Sequence, residues 1–219
     1  MAKRKQTLTY YFSVEGETEL WYLQWLQEQI NACEESKYNV TIRAKVETDP
    51  VRRVKGMTIT GATEIWHLSD FEGQDEDHSY RFSTTMDRLK KVKTLHRQVT
   101  YHFGYSNLTF DLWIALHKVD CKTRLSDRKQ YLSYINRGYG ESFESMVKYK
   151  QRDNFHRCLG KLTLEDVRNA VIRAKEIMEQ IDGQGYRQLE YKGYRYYEEN
   201  PSLEVWRPID LILSKCNLN

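Results

Sequence analysis

The sequence predicts an α/β domain on a mainly parallel sheet flanked by helices, continued by a mostly helical C-terminal part. Three observations lead there. In the first half, short apolar runs alternate with helix-period segments in the order strand, helix, strand, strand, helix, strand. Acidic residues stand where two of those runs end. Beyond Lys118 the pattern turns helical, and only a short tyrosine-rich piece interrupts it.

Residues 7–14 (TLTYYFSV) read as a first strand that ends at Glu15-Gly16-Glu17. From Thr18 to about Cys33, the residues Leu20, Tyr22, Leu23, Leu26 and Ile30 recur at helical spacing. Residues 38–46 alternate with period two and read as a strand. Residues 63–69 (TEIWHLS) form another, closed by Asp70-Phe71-Glu72-Gly73. The polar run QDEDHS leads into a helical pattern over about 80–95, and residues 97–103 read as a fourth strand. Candidate helices follow at 126–137, 142–150, 163–181 and 202–215. In the third of these, Leu164, Val167, Val171, Ala174, Ile177, Met178 and Ile181 line one face, and Gly183 stands just after it. The expected division is a core at 1–118 with a helical extension at 119–219 packed on it, or one compact unit over 1–219. Three prolines in the whole chain favour compactness.

Composition narrows the function classes. With 219 residues, 40% hydrophobic and 13% aromatic, the chain has enough apolar material for a core despite a mean hydropathy of -0.76. A net charge of +3 is too small to argue nucleic-acid binding, so any basic footprint must be local. Cys33, Cys121, Cys158 and Cys216 lie far apart without a CxxC pair, which fits free thiols better than a zinc site or a disulfide framework. The basic start Met1-Ala-Lys-Arg-Lys precedes no apolar signal core, and no stretch reaches the roughly 18 apolar residues of a membrane span. A soluble cytoplasmic protein is expected, with no membrane partner.

The acidic residues carry the chemical argument. In open parallel sheets, ligands collect beyond the carboxyl ends of the strands, and Glu15 and the Asp70/Glu72 pair both stand there. Gly16 is expected to turn the backbone tightly and bring Glu15 over the sheet edge. Residues i and i+2 of an extended segment share a face, so Asp70 and Glu72 are expected to point into one site. Their mutual repulsion there calls for a cation, and an oxygen-only set suits Mg²⁺. One or two such ions would serve in-line displacement at phosphorus. Plainer readings stand beside this one. Glu17 and Glu19 are favourable at any helix N-terminus, and Asp-Phe-Glu is also what a solvated turn looks like.

Four segments carry a resemblance. VEGETEL (14–20) looks like the first Toprim motif, in the form used by overcoming-lysogenization-defect nucleases and RloB-like proteins. EIWHLSDFE (64–72) resembles the second, with Glu72 in place of the second Asp. In YSNLTFDLWIALHK (105–118), Ser106, Asn107, Phe110, Leu112, Trp113 and His117 fit the RloB-like pattern. There Asp111 replaces a glutamate and Leu108 stands where the family usually has proline. NPSLEVWRPIDLIL (200–213) is similar to the family's closing segment. The chain thus resembles the RloB-like family over nearly its full length.

That resemblance implies a Toprim-like fold and a metal-dependent nuclease using Mg²⁺ or Mn²⁺. Glu15, Glu19, Asp70 and Glu72 would be the metal ligands, and Glu15, Asp70 and Glu72 catalytic; His117 joins the catalytic candidates on its own chemistry, since a histidine there could donate to a phosphate or activate water. Ser106, Asp111 and Lys55 are additional candidates. It also implies a role in anti-phage defence, beside an ABC/AAA-type ATPase partner, and leaves a homo-oligomer open. The alternative is a catalytically silent Toprim module that binds nucleic acid or a partner. Hydrolysis of a small phosphoester by the same metal chemistry is a third reading.

Several residues have bland readings that compete. Asn107 suits the N-cap of a helix over 108–117, Trp113 a core position, His117 a structural place at the helix end, and Lys55 and Lys118 the surface. Tyr191, Lys192, Tyr194 and Arg195 combine aromatic faces with cations, as single-strand binders do; equally, they form a hairpin with one tyrosine face packed inward. Lys148, Lys150, Arg152 and the run Arg88–Lys93 would add a basic rim or merely a solvated helix face.

Overall fold

A computed structural model describes residues 5–72 and 76–219, with side chains in the third helix from Tyr80 onward. The start of the chain and part of the polar run after Glu72 therefore lie outside the described residues. Strands β1 (Thr7–Val14), β2 (Asn39–Val46), β3 (Thr63–Phe71) and β4 (Val99–Asn107) form one sheet in the order β2-β1-β3-β4. All three pairings are parallel, with Val14 opposite Val46 and Asp70 opposite Ser106. The helices α1 (Glu17–Ala32), α2 (Pro50–Lys55) and α3 (Glu76–Leu95) make the crossovers. Parallel strands need such connections. The α/β expectation is met, and the C-terminal part is helical as expected.

Strand alternation assigns the two faces of the sheet. Tyr10, Phe12 and Val14 of β1, and Trp66 and Leu68 of β3, pack into one cluster with α1 and the C-terminal helices. Ile65 and Phe71 of β3, with Val99, Tyr101, Phe103 and Tyr105 of β4, pack into a second under α3. Asp70 therefore belongs to the first face, and Ser69 to the second.

The chain continues through α4 (Asp111–Leu116), a 3-10 turn (Arg128–Gln130), α5 (Tyr131–Tyr139), α6 (Met146–Tyr149), α7 (Arg152–Leu159) and α8 (Leu164–Gly183). A hairpin of β5 (Leu189–Tyr191) and β6 (Tyr194–Tyr196) precedes α9 (Trp206–Cys216). Helix α8 starts on a capping box, in which Thr163 and Asp166 satisfy each other's backbone N–H. Tyr131, Val167, Ala170, Ile209 and Ile212 share the first cluster with Phe12 and Leu26, so one apolar core joins the sheet to the helical part.

The structure differs from the expected elements in several places. The 142–150 and 202–215 segments yield shorter helices, and α7 is additional. Strand β4 also runs to Asn107, beyond the expected end at 103, because its ladder with β3 continues to Phe71 and residues 202–204 lie along its other edge. Asn107 N–H donates to Ser202 O at 2.9 Å and Glu204 N–H to Tyr105 O at 2.7 Å. Gly104 makes room for a core side chain of β3, since a Cβ there would stand 2.9 Å from Leu68 Cδ2. Asn107 is consequently a strand residue and not an N-cap. Its buried Nδ2 donates to the carbonyls of Tyr197 (3.2 Å), Glu198 (2.8 Å) and Glu199 (3.1 Å).

All four cysteines are free. Among the described residues, no helix is long and apolar enough to cross a membrane.

Candidate active site

The carboxyl ends of β1 and β3 carry the acidic residues, as the motifs predicted. Glu15 follows β1, and its carboxylate accepts from Ser69 Oγ at 2.7 Å and from the Asp70 N–H at 3.1 Å. These bonds tie the end of β1 to the end of β3 and fix the carboxylate direction. Burial pushes the Glu15 pKa up to about 7 against the lowering effect of those two donors, and Glu19 and Glu72 push it further.

Glu19 lies in the first turn of α1, buried, and accepts from Thr18 Oγ1 at 3.0 Å. Gly16 explains its position. The backbone there is extended (φ -137°, ψ 176°), so no tight turn is involved. Instead, a Cβ on Gly16 would lie 3.0 Å from Glu19 Oε2, and its absence leaves space for that carboxylate.

Asp70 and Asp111 complete the group. Burial raises the Asp70 carboxyl well above its ordinary range, and neighbouring Glu19, Glu15 and Asp111 add to the effect. Asp111 opens α4 and is fully buried. Its Oδ2 accepts from Thr109 Oγ1 at 2.8 Å and pairs with Lys150 Nζ at 2.7 Å. Burial alone would lower the Lys150 pKa, but Asp111, Asp70 and Glu19 together raise it. Asp111 Oδ1 and the buried Ser106 Oγ have no hydrogen-bond partner among the described residues.

Glu72 differs from its expected position. Strand β3 ends at Phe71, so the i, i+2 rule no longer binds Glu72 to the Asp70 face. Glu72 lines the same cleft as Glu15 and Asp70, and Arg128 forms an ion pair with it. That cleft encloses about 500 Å³ between the ends of β1 and β3 and helix α3.

The carboxylates thus approach the sheet end from both faces, Glu15 beside Ser69 and Asp70 beside Glu19 and Asp111. Among the described residues, no three His, Cys, Asp or Glu side chains stand as a finished metal-binding group. The donor set still fits a hard divalent cation. It consists of oxygens, several held in a medium that penalises their charge, with Asp111 Oδ1 and Ser106 Oγ unpartnered beside them.

A model of RloB-like proteins matches residues 10–212. The chain belongs to the RloB-like family. No curated protein and no solved structure matches it.

Other expected residues of this RloB-like chain fall elsewhere. His117 is corrected from a catalytic candidate to a core residue. Its Nδ1 lies 2.9 Å from Trp113 O and its Nε2 3.1 Å from Tyr22 OH, so both ring nitrogens are occupied away from the cleft. Burial pulls its pKa down to about 4. Lys55 is exposed on the last turn of α2 and does not line the cleft, while Lys118 pairs with Asp166 at 2.8 Å. Of the two readings of the tyrosine segment, the packed hairpin is the one observed. Tyr191, Tyr194 and Tyr196 lie against the second cluster, Lys192 pairs with Asp87 and Arg195 with Glu190.

Several residues were not placed at the site by the sequence. Lys150 was assigned to a basic rim and instead sits among the carboxylates. Arg128 carried no motif. Arg81, Thr84, Thr85 and Arg88 line the cleft opposite Glu15, and their i, i+3, i+4, i+7 spacing was the signal that could have found them.

Proposed function

We propose that this RloB-like chain is a metal-dependent nuclease of the Toprim type, cleaving phosphodiester bonds of nucleic acid in the cytoplasm as the effector of an anti-phage defence system. The observation that carries the reading is the group of carboxylates Glu15, Glu19, Asp70 and Asp111, gathered at the carboxyl edge of a parallel sheet, with burial raising the pKa of Glu15, Glu19 and Asp70. Uncompensated, such a group is costly, and sites of this kind are where function is found.

Glu15, Glu19, Asp70 and Glu72 would hold Mg²⁺ or Mn²⁺, with Asp111 and Ser106 beside them. The ion would neutralise charge on the scissile phosphate and lower the pKa of a water nucleophile. The chain's own residues do the rest. Ser69 and the Asp70 N–H orient the Glu15 carboxylate. Lys150 balances Asp111 and keeps the group from being wholly anionic. An ABC/AAA-type ATPase would serve as the sensor that controls the activity.

A second reading is a catalytically silent module that binds nucleic acid or the ATPase. The pairs Lys150–Asp111 and Arg128–Glu72 favour it, because internal cations already occupy two of the carboxylates. One assay separates the readings: cleavage of plasmid DNA and total tRNA with Mg²⁺ or Mn²⁺ by wild type, Glu15→Gln and Asp70→Asn. Cleavage by wild type alone supports the nuclease. Silence from wild type, both alone and with its ATPase, sinks it.

A further inference from the structure

The cleft beside the carboxylates has a second wall of opposite character, and nothing described so far uses it. Helix α3 buries Phe82, Met86 and Leu89 against the sheet. The stripe Arg81, Thr84, Thr85 and Arg88 falls on the side that faces the cleft. Arg88 is braced by Asp49, its Nη1 3.2 Å from Asp49 Oδ2, and Asp49 in turn caps α2. Arg81 is exposed two turns before Arg88, and Thr85 Oγ1 donates to the Arg81 carbonyl at 3.1 Å. At the rim stands Tyr80, 72% exposed, the second most exposed large hydrophobic side chain among the described residues.

We infer that the α3 stripe, with Arg81 and Arg88 as phosphate contacts and Tyr80 as a stacking platform, holds an unpaired nucleic-acid strand against the carboxylates. This rests on the nucleic-acid reading of the site and names its substrate class. An exposed tyrosine face stacks only on a base freed from pairing, and every base has a π-face, so such contacts tolerate sequence. A guanidinium stripe parallel to an acidic wall also solves an electrostatic problem. The carboxylate wall alone offers a polyanion no attraction, and Arg81 and Arg88 supply it across the cleft. A duplex fits worse, because its paired and stacked bases offer Tyr80 no free face. The net charge of +3 does not provide the broad footprint that duplex binding uses.

The test is fluorescence anisotropy with end-labelled 12-nucleotide oligo(U) and oligo(dT), and a 12-base-pair duplex, in EDTA so that no cleavage occurs. Wild type should bind the single strands at least tenfold tighter than the duplex. Tyr80→Ala should weaken single-strand binding about tenfold, and Tyr80→Phe should restore it. Arg81→Ala should weaken binding about fivefold and reduce the slope of log K against log salt by about 0.7, the loss expected for one phosphate contact to a single strand. Unchanged thermal midpoints would confirm that these exposed substitutions leave the fold intact. Duplex binding as tight as single-strand binding, no binding of any oligonucleotide, or an unchanged affinity in both alanine variants would overturn the inference. Adding Mn²⁺ to the same samples separates it from the nuclease reading. Binding without cleavage even when the ATPase is supplied would sink the nuclease and leave the strand site standing. Cleavage with affinity unaffected by both variants would do the reverse.

Discussion

Replacing Lys150 by methionine removes the one ammonium described beside Asp111 while keeping most of the side-chain volume. Asp111 is fully buried, whereas Lys150 is 38% exposed, and the two are 2.7 Å apart. Breaking a buried pair typically costs about 3–5 kcal/mol, because the remaining charge is left without compensation. Solvent screening at the half-exposed lysine lowers that range, and the Thr109 hydroxyl still donates to Asp111 at 2.8 Å. A loss of about 2 kcal/mol at pH 7 follows, read as a shift of the urea midpoint at unchanged m-value. Asp111→Asn should cost less, since no buried anion is left behind. In the double variant the two losses should fall short of additive by about 1 kcal/mol or more. A Lys150→Met protein within about 0.5 kcal/mol of wild type would refute the argument that this ammonium neutralises the acidic group.

Three further outcomes are expected. His117 is buried with a pKa near 4, below its unfolded value of about 6.5, so the unfolded chain binds more protons between those values. Its contribution to stability is therefore intact above pH 6.5 and lost as pH falls towards 4; by pH 5 the loss is about 2 kcal/mol. A His117→Gln variant should lack that loss in urea titrations at pH 7 and pH 5. Glu15 runs the opposite way: its pKa of about 7 lies above the unfolded value, so its contribution is present below about 4.5 and lost as pH rises through 7. At pH 8, Mg²⁺ or Mn²⁺ should accordingly raise the thermal midpoint of wild type, whereas Asp70→Asn should show little or no rise. Asn107→Ala should cost about 2 kcal/mol of stability, because the carbonyls of Tyr197, Glu198 and Glu199 lose a shared donor. Retention of wild-type stability there would mean that water replaces the amide.

The parallel sheet and the placing of Glu15 and Asp70 at its carboxyl edge were legible because they rest on local periodicity. Alternating runs such as TLTYYFSV commit to strands whatever surrounds them, and an acidic residue just past a buried strand can only lie at its end. Glu19 was legible from its motif, though the space that admits it depends on Gly16 lacking a side chain. Where the reading failed, long-range contacts had intervened. Asn107 became a strand residue because β4 pairs with β3 as far as Phe71, while a segment about 95 residues later lies along its other edge. His117 kept its motif position yet lies inside the core, where Tyr22 and Trp113 occupy its nitrogens.

From the order of residues alone came the fold class, the family resemblance and the acidic edge, since periodicity and short motifs are properties of neighbours in sequence. Only the tertiary structure brought Lys150 to Asp111, Arg128 to Glu72 and the arginine stripe of α3 across from Glu15. Those pairings join residues that carry no mutual signal along the chain. They arise because a low-dielectric pocket tolerates a buried carboxylate only when the packing delivers a compensating charge.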